Sequence, residues 1–217
     1  MIRIKICGIT SVAEASLAEQ YGADAIGLLV GHRHRARDFV KRNIARRICH
    51  SVVPFITPVL VTHLEEPNQI LRLADAVPCP VLQLHSDLSP SLLAALRERL
   101  RPKKVIGKVS VQGRGAINRA RQIESSVDAI VLDSLDLTTD RVGGTGITHD
   151  WSLSAEIVAN CKVPVMLAGG LTPENVAEAI HIVRPAAVDV NSGVERPDGR
   201  KNEERLSRFI EAVRAAG

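Results

Sequence analysis

The sequence has few aromatic residues, no paired cysteines and no long apolar run. Phenylalanine, tryptophan and tyrosine make up only 2% of its 217 residues, too few for the base-stacking platforms of RRM and OB-fold proteins. Its four cysteines form no CxxC pair, which argues against a zinc site or a disulfide scaffold and favours a reducing compartment. No apolar run approaches the roughly 20 residues of a membrane span, and the N-terminus has no signal-peptide pattern. We therefore expect a cytoplasmic protein with no membrane partner.

The residues that are present suit one compact domain. Hydrophobic residues make up 45% of the chain and charged residues 24%, and the net charge is +4. This charge mildly favours anionic ligands. A basic stretch at residues 32–47 could bind RNA, but such a stretch is more often a solvated helix face with a ligand-facing loop. Nucleic acid is therefore not the expected partner.

Apolar strand-like runs alternate with helical patterns along the whole chain. The runs lie at Ile2–Ile6, Asp24–Val30, Phe55–Thr62, Pro80–His85, Lys104–Val109, Asp128–Asp133, Val163–Ala168 and Ala187–Val190. The helical patterns lie near residues 11–21, 41–52, 67–76, 89–100, 115–124, 151–159, 173–183 and 202–215. Strict alternation predicts a parallel sheet, and eight repeats predict closure into a (β/α)8 TIM barrel. We expect residues 1–217 to form this barrel as a single domain.

Strand alternation predicts which side chains point into the barrel. Along the first strand it directs the isoleucines towards the helices, and Arg3, Lys5 and Cys7 inward, with Cys7 at the carboxyl-terminal mouth. The same rule directs further polar side chains inward: Gln83, His85, Lys108, Asp133, Asp189 and Asn191. Catalytic groups in this fold come from several strand ends, so this convergence indicates an active site. The alternative is a satisfied polar layer low in the barrel, which Arg3 and Lys5 would suit.

Two small-residue turns follow the last two strands. Gly169-Gly170 ends the seventh strand, and Asn191-Ser192-Gly193 ends the eighth. In this fold the corresponding loops commonly bind phosphate through backbone N–H groups. The alternative is that the glycines only make tight connections. Between the turns, Thr172 is the predicted N-cap of a helix that starts at Pro173.

Cys7 and Asp133 end strands on opposite sides of the predicted mouth. Together they could act as an acid–base pair, in which one group removes a proton from carbon and the other protonates an oxygen. Lys5 would favour the thiolate of Cys7. Asp133 would need a raised pKa to act as an acid, and partial burial could provide it. Cys7 could also be a covalent nucleophile or a structural thiol. The long glycine-rich segment after Asp133 could close over the site as a lid or be a static connection.

Motifs throughout the chain resemble one family. They are Lys5-Ile6-Cys7-Gly8-Ile9-Thr10, Gln83-Leu84-His85, Leu132-Asp133, Gly143-Gly144-Thr145-Gly146 with Asp150-Trp151, Leu167-Ala168-Gly169-Gly170-Leu171 with Pro173-Glu174-Asn175-Val176, and Asp189-Val190-Asn191-Ser192-Gly193-Val194-Glu195. In this order and combination they resemble the phosphoribosylanthranilate isomerases. The combination is far more specific than any single motif.

The resemblance implies a (β/α)8 barrel that catalyses an Amadori rearrangement of N-(5-phosphoribosyl)anthranilate in tryptophan biosynthesis, without a metal or organic cofactor. It implies that Cys7 is the general base that takes the C2 proton and that Asp133 is the general acid that opens the ribose ring. The implied and inferred contacts to the phosphosugar substrate are Lys5, Arg37, Gln83, His85, Gly144, Gly169, Gly170, Asp189, Asn191, Ser192 and Gly193. We expect a monomer or a homodimer.

The sequence departs from the family pattern in two loops. After the second strand the family usually has a segment like YPKSPRYVSPEQA, whereas this chain has GHRHRARDFVKRNIA. Arg37 is the best match to the family's substrate-binding arginine, with Arg33 and Arg35 as alternatives. After the GGTG motif, Ile147-Thr148-His149 replaces the common Lys-Thr-Phe. Both changes would touch the anthranilate end of the ligand, so a related isomerase, epimerase or aldolase acting on another phosphosugar is the alternative function.

Overall fold

The computed structural model describes residues 1–31, 37–134 and 149–217. Within them, eight parallel strands form a closed barrel in sequence order, and the last strand pairs with the first. The strands are β1 (Arg3–Ile6), β2 (Ala25–Leu29), β3 (Thr57–Thr62), β4 (Val81–Leu84), β5 (Lys104–Ser110), β6 (Ala129–Asp133), β7 (Val165–Leu167) and β8 (Ala187–Val190). The predicted TIM barrel is confirmed.

Helices follow the strands and cover the outside of the barrel. They are α1 (Val12–Gln20), α2 (Arg42–Ser51), α3 (Pro67–Ala76), α4 (Pro90–Leu100), α5 (Gly115–Ile123), α6 (Trp151–Asn160), α7 (Val176–Val183) and α8 (Glu203–Ala216), with short 3₁₀ helices at Glu124–Ser126 and Ser192–Val194. None of the described helices is long and apolar enough to cross a membrane. The assignment of all residues 1–217 to one domain stays a prediction.

The start of α7 differs from the sequence prediction. The helix begins at Val176 with Asn175 as its N-cap, so the prediction of Thr172 as N-cap is wrong. The physical reason is the side chain of Asn175, whose Oδ1 accepts from the Thr172 N–H at 2.8 Å and whose Nδ2 donates to the Gly170 carbonyl at 2.9 Å. These bonds hold residues 172–175 in a turn directly after β7. The Thr172 hydroxyl accepts from Glu174 N–H at 3.2 Å, within that turn.

The two faces of β1 lie in different surroundings, as alternation predicts, but the prediction that Arg3 points into the barrel is wrong, because Arg3 is exposed at the start of the strand and pairs with Asp24 there. Ile4 and Ile6 are fully buried in the large apolar core that includes the inner faces of the helices. Cys7 belongs instead to a small cluster with Leu29 and neighbouring valines of β3. The barrel interior is therefore separate from the outer core, and polar side chains that point inward are held within it.

Two aspartates each connect neighbouring strands at the amino-terminal end of the barrel. Asp24, just before β2, accepts the Ile4 N–H at 2.8 Å, and its other carboxylate oxygen pairs with Arg3 at 3.0 Å. Asp128, just before β6, accepts the Val105 N–H at 2.9 Å. Each aspartate thus joins the strand it precedes to the strand before it. Hydrogen bonds to charged groups are stronger than neutral ones, so these pairs help to hold the register of the strands whose other ends form the mouth.

Candidate active site

A buried ion pair lies inside the barrel below the mouth. Lys5 and Asp189 are neighbours in the register of β1 and β8, and Lys5 Nζ lies 2.6 Å from Asp189 Oδ2. Burial by itself would lower the pKa of Lys5, but the Asp189 carboxylate and Cys7 together outweigh it and the pKa is raised. Lys5 therefore keeps its positive charge next to Cys7. The buried ion pair with Asp189 confirms that the side chain of Lys5 points inward.

Cys7 lies at the mouth, where its backbone N–H donates to the Val190 carbonyl of β8 at 2.8 Å. Its thiol lies against Gly27 of β2, where an added Cβ would be 2.6 Å from the sulfur, so only glycine leaves room for it. Burial raises the pKa of Cys7 to about 11, and the opposing effect of Lys5 does not overcome it. Lys5 favours the thiolate as predicted, but the free site holds the protonated thiol near neutral pH.

Asp133 ends β6 and is held by a short chain of hydrogen bonds. His85 Nε2 lies 3.1 Å from Asp133 Oδ2, and Gln83 Nε2 lies 3.1 Å from His85 Nδ1. Burial would raise the pKa of Asp133, but the hydrogen bond and charge of His85, together with the charge of Lys108, lower it overall. The expectation of a raised pKa is therefore wrong, because it left out these neighbours. Asp133 is a carboxylate in the free site.

An aromatic stack supports His85 from the side. The ring of His63 lies parallel to that of His85 with 5.0 Å between centroids, and Phe39 meets His63 edge-on at 5.3 Å. His63 follows β3, and Phe39 lies in the segment between β2 and α2. The stack therefore links the loops after these two strands to the hydrogen-bonded chain that ends at Asp133.

The two glycine turns lie next to each other, and the first of them lies against Asp133. Gly169 and Gly170 have φ values of +82° and +67°, which L side chains adopt only with strain. A Cβ on Gly169 would lie 2.9 Å from Asp133 Oδ1, and a Cβ on Gly193 would collide with the Leu171 carbonyl. The turns after β7 and β8 thus form one continuous small-residue surface. Ser192 begins the short 3₁₀ helix that follows β8.

Asn191 connects the segment after β2 to the segment after β8. Its Oδ1 accepts from Lys201 Nζ at 2.7 Å, and its Nδ2 donates to Asp38 at 2.8 Å. Lys201 is buried and also pairs with Glu195 at 2.8 Å. The side-chain amide of Asn191 is therefore already engaged on both sides, and its contact with substrate stays a prediction.

The predicted substrate-binding arginine lies outside the buried group. Arg37 is exposed, and its Nη1 donates to the Pro197 carbonyl at 2.9 Å. Its role as a ligand stays a prediction. Arg33, Arg35 and Gly144 lie outside the described residues, and so does the glycine-rich part of the candidate lid.

Several buried polar side-chain atoms, most of them near the mouth, have no hydrogen-bond partner within residues 1–31, 37–134 and 149–217. They are Gln83 Oε1, Ser110 Oγ, Ser134 Oγ, His149 Nδ1, Trp151 Nε1 and Asp189 Oδ1. Buried polar groups are normally paired, so such atoms at a mouth favour a polar ligand. In these ranges, no group of three or more His, Cys, Asp and Glu side chains is arranged to hold a metal ion.

Sequence reasoning missed Ser110, Ser134 and His149. Ser110 extends β5 by one residue beyond the predicted end and pairs in register with Asp133. Ser110 comes two residues after Lys108, which is buried as predicted. Continuing the alternation of β5 by one more step would therefore have predicted that the Ser110 side chain points inward. Ser134 directly follows Asp133. His149 lies in one of the two divergent segments, and its Nε2 contacts Ser154 Oγ at 2.7 Å.

Comparisons with known sequences agree with the motifs. Residues 4–212 match the family model described as N-(5'-phosphoribosyl)anthranilate (PRA) isomerase. An N-(5'-phosphoribosyl)anthranilate isomerase 2 of Methanosarcina mazei is 44% identical over 209 residues, which cover 96% of this chain and 92% of the relative. The similarity thus extends over nearly the whole length of both proteins.

Solved structures of the same family are similar to this chain over nearly its whole length. Phosphoribosyl anthranilate isomerase from Thermotoga maritima is 35% identical with a TM-score of 0.87, covering 99% of this chain and all of the other. A second structure is that of a phosphoribosyl anthranilate isomerase in complex with reduced 1-(o-carboxyphenylamino)-1-deoxyribulose 5-phosphate. It is 34% identical with a TM-score of 0.83 and the same coverage. The chain therefore belongs to the N-(5'-phosphoribosyl)anthranilate isomerase family, the isomerases of tryptophan biosynthesis.

Proposed function

We propose that this chain converts N-(5'-phosphoribosyl)anthranilate to 1-(2-carboxyphenylamino)-1-deoxyribulose 5-phosphate with Cys7 as general base and Asp133 as general acid. The observation that carries the assignment is the position of the two groups. A buried thiol at the end of β1 and a buried carboxylate at the end of β6 occupy the same mouth. The glycine turn after β7 lies beside Asp133, and the turn after β8 lies against this first turn. Family membership supports the reaction, and the geometry supports the roles.

The chemistry requires two proton transfers that these groups can make. Asp133 gives a proton to the ribose ring oxygen, so the ring opens and the nitrogen lone pair forms an iminium at C1. Cys7 as thiolate then removes the proton from C2, so that the C2–H electron pair forms a C1–C2 double bond and the C=N π pair returns to the nitrogen to give an enaminol. The enol form of this intermediate tautomerises to the ketone as C1 gains a proton. A positioned acid or base typically contributes about 10²–10⁴-fold to the rate.

The other predicted ligands have supporting roles in this proposal. Lys5, held by Asp189, stabilises the thiolate form of Cys7, and His85, held by Gln83, orients Asp133. Backbone N–H groups of Gly169, Gly170, Ser192 and Gly193 bind the phosphate. Arg37, Gly144 and Asn191 are proposed as further contacts to the substrate.

The proposed partner is a small phosphosugar. No metal or organic cofactor is part of the proposed reaction, and neither nucleic acid nor a membrane is a proposed partner. We place the protein in the cytoplasm as a monomer or a homodimer.

The protonation states of the free site predict an unusual pH profile. The active pair needs a thiolate and a carboxylic acid, whereas the free site holds a thiol with a pKa of about 11 and a carboxylate with a lowered pKa. The two protonation states contain the same number of protons. The equilibrium constant for moving one proton from Cys7 to Asp133 is therefore independent of pH. We expect kcat/KM to stay flat within about twofold from about pH 7 to pH 9. If the reaction instead needed only the thiolate of Cys7, and this thiol titrated near its ordinary value of about 8.5, kcat/KM would rise by more than tenfold over this range.

Asp133→Asn is the matched control for this profile. It removes the group that accepts the proton, so the thiolate of Cys7 must form by loss of a proton to solvent. The residual kcat/KM should then rise by nearly tenfold for each pH unit. A flat profile in the variant, or a steep one in the unaltered protein, would contradict the proposed exchange of a proton.

The test of the function is direct turnover. Purified protein is mixed with N-(5'-phosphoribosyl)anthranilate, and the fall of anthranilate-type fluorescence is followed as the substrate is consumed. We expect multiple turnovers and recovery of the deoxyribulose phosphate product. A folded protein that binds sugar phosphates but leaves this substrate unchanged would point to the alternative, an isomerase, epimerase or aldolase for another phosphosugar.

A further inference from the structure

Two cysteines outside the active site are in contact. Cys49 Sγ and Cys79 Sγ lie 3.0 Å apart, although the residues are 30 positions apart in the sequence. A disulfide bond measures about 2.05 Å, so the sulfurs would have to approach by only about 1 Å to be bonded. Both cysteines are free thiols in the structure.

The pair lies at the end of the barrel opposite Cys7. Cys49 is in the last turn of α2, and Cys79 comes two residues before β4 begins. These positions are at the amino-terminal end of the strands, whereas Cys7 follows the carboxyl end of β1. A bond between the two cysteines would therefore join the outer helix to the barrel without touching the mouth.

The two thiols differ in exposure and in acidity. Cys49 is partly exposed, whereas Cys79 is buried and its carbonyl accepts a hydrogen bond from Lys103 Nζ at 2.7 Å. The hydrogen bond from Cys79 lowers the pKa of Cys49, with help from the charge of Lys103. The same hydrogen bond, together with burial, raises the pKa of Cys79. An accessible, more acidic thiol next to a buried partner is the usual arrangement for thiol–disulfide exchange.

We propose that Cys49 and Cys79 form a reversible intramolecular disulfide by exchange with an oxidised low-molecular-weight thiol of the glutathione disulfide type. The thiolate of Cys49 attacks one sulfur of the small disulfide and releases one small thiol, which leaves a mixed disulfide on Cys49. Cys79 then loses its proton and attacks the Cys49 sulfur, which releases the second small thiol. Two protein thiols are oxidised and one small disulfide is reduced to two thiols.

The bond would stabilise the fold and leave catalysis intact. It closes a loop that contains the end of α2, β3 and α3, and loops of this length give a substantial gain when they are cross-linked. Cys7 is buried and the pKa of its thiol is raised, so it exchanges slowly. The proposal does not depend on the acid–base roles of Cys7 and Asp133.

The test treats the whole protein with excess glutathione disulfide at mildly alkaline pH. We expect the mass to fall by two hydrogen atoms, a peptide linking Cys49 to Cys79 in a non-reducing digest, and a rise in Tm of roughly 5 °C or more. Dithiothreitol should reverse all three changes. Turnover should stay within about twofold, because the pair lies far from the mouth.

Single variants identify the pair. Cys49→Ser and Cys79→Ser should each abolish the linked peptide and the rise in Tm, whereas Cys161→Ser, which removes a thiol outside the pair, should keep both. A glutathione adduct that persists on Cys49 without exchange to Cys79 would overturn the proposal. Four free thiols after treatment, or a disulfide between two chains, would also overturn it.

Discussion

Replacing Cys7 by serine lowers turnover by about 10²–10⁴-fold and leaves the barrel folded. A serine hydroxyl is smaller than the thiol, so it fits beside Gly27 without collision. It also keeps a polar atom near Lys5, but it is a far weaker acid and does not supply an anionic base. The loss should therefore fall mainly on kcat, with little change in KM. Steady-state turnover and thermal unfolding of the variant and of the unaltered protein measure the two parts of this prediction.

Cys161→Ser is the control for the general effect of removing a thiol, because Cys161 lies directly after α6 and away from the mouth. It should keep full turnover. A Cys7→Ser variant with the rate of the unaltered protein would show that Cys7 is not the base. A mass gain of one substrate on Cys7 during turnover would instead favour a covalent nucleophile.

Replacing Asp133 by asparagine has an effect of similar size, a loss of about 10²–10⁴-fold. The carboxamide has nearly the same shape and can still contact His85, so the site keeps its packing. It can neither accept the proton from Cys7 nor deliver one to the ribose ring oxygen. Neutralising Asp133 also removes the counter-charge to Lys108, so a modest decrease in Tm should accompany the loss of activity. The measurements are kcat at saturating substrate and the thermal midpoint.

Asp75→Asn is the matched control, because Asp75 is an exposed aspartate on α3. It makes the same chemical change away from the mouth and should alter neither kcat nor Tm appreciably. If Asp133→Asn kept more than about a tenth of normal turnover, the general acid would have to be another group. His149 would then be the first candidate, because it is half-buried, it lies close enough to Asp133 to feel its charge, and its buried Nδ1 has no partner within the described residues.

Two sequence patterns predict the barrel and show which strand side chains point into it. A period of two places Lys5, Cys7 and Lys108 on the inner face, and eight repeats of strand and helix leave closure as the simplest arrangement. Strand ends were harder to predict, because the hydrogen bonds that end a strand come from other parts of the chain. Ser110 was missed because β5 was predicted to end one residue early, although continued alternation would have placed its side chain inward.

The electrostatic state of the site depends on distant residues, and sequence patterns do not supply it. The pKa of Asp133 is lowered by His85 and Lys108, which come from β4 and β5. Asn191 is held by Asp38, 153 positions away. The Thr172 N-cap prediction failed for a related reason, because either Thr172 or Asn175 is a good cap by residue type and only the contact with Gly170 decides between them.

The central claim is that Cys7 and Asp133 carry out the proton transfers of the isomerisation. Its most direct test is a single-turnover measurement with enzyme in excess over N-(5'-phosphoribosyl)anthranilate, which separates the chemical step from product release. The unaltered protein should consume the substrate rapidly, and Cys7→Ser and Asp133→Asn should each bind it and react at least about a hundredfold more slowly. Equal single-turnover rates in all three proteins would contradict the account.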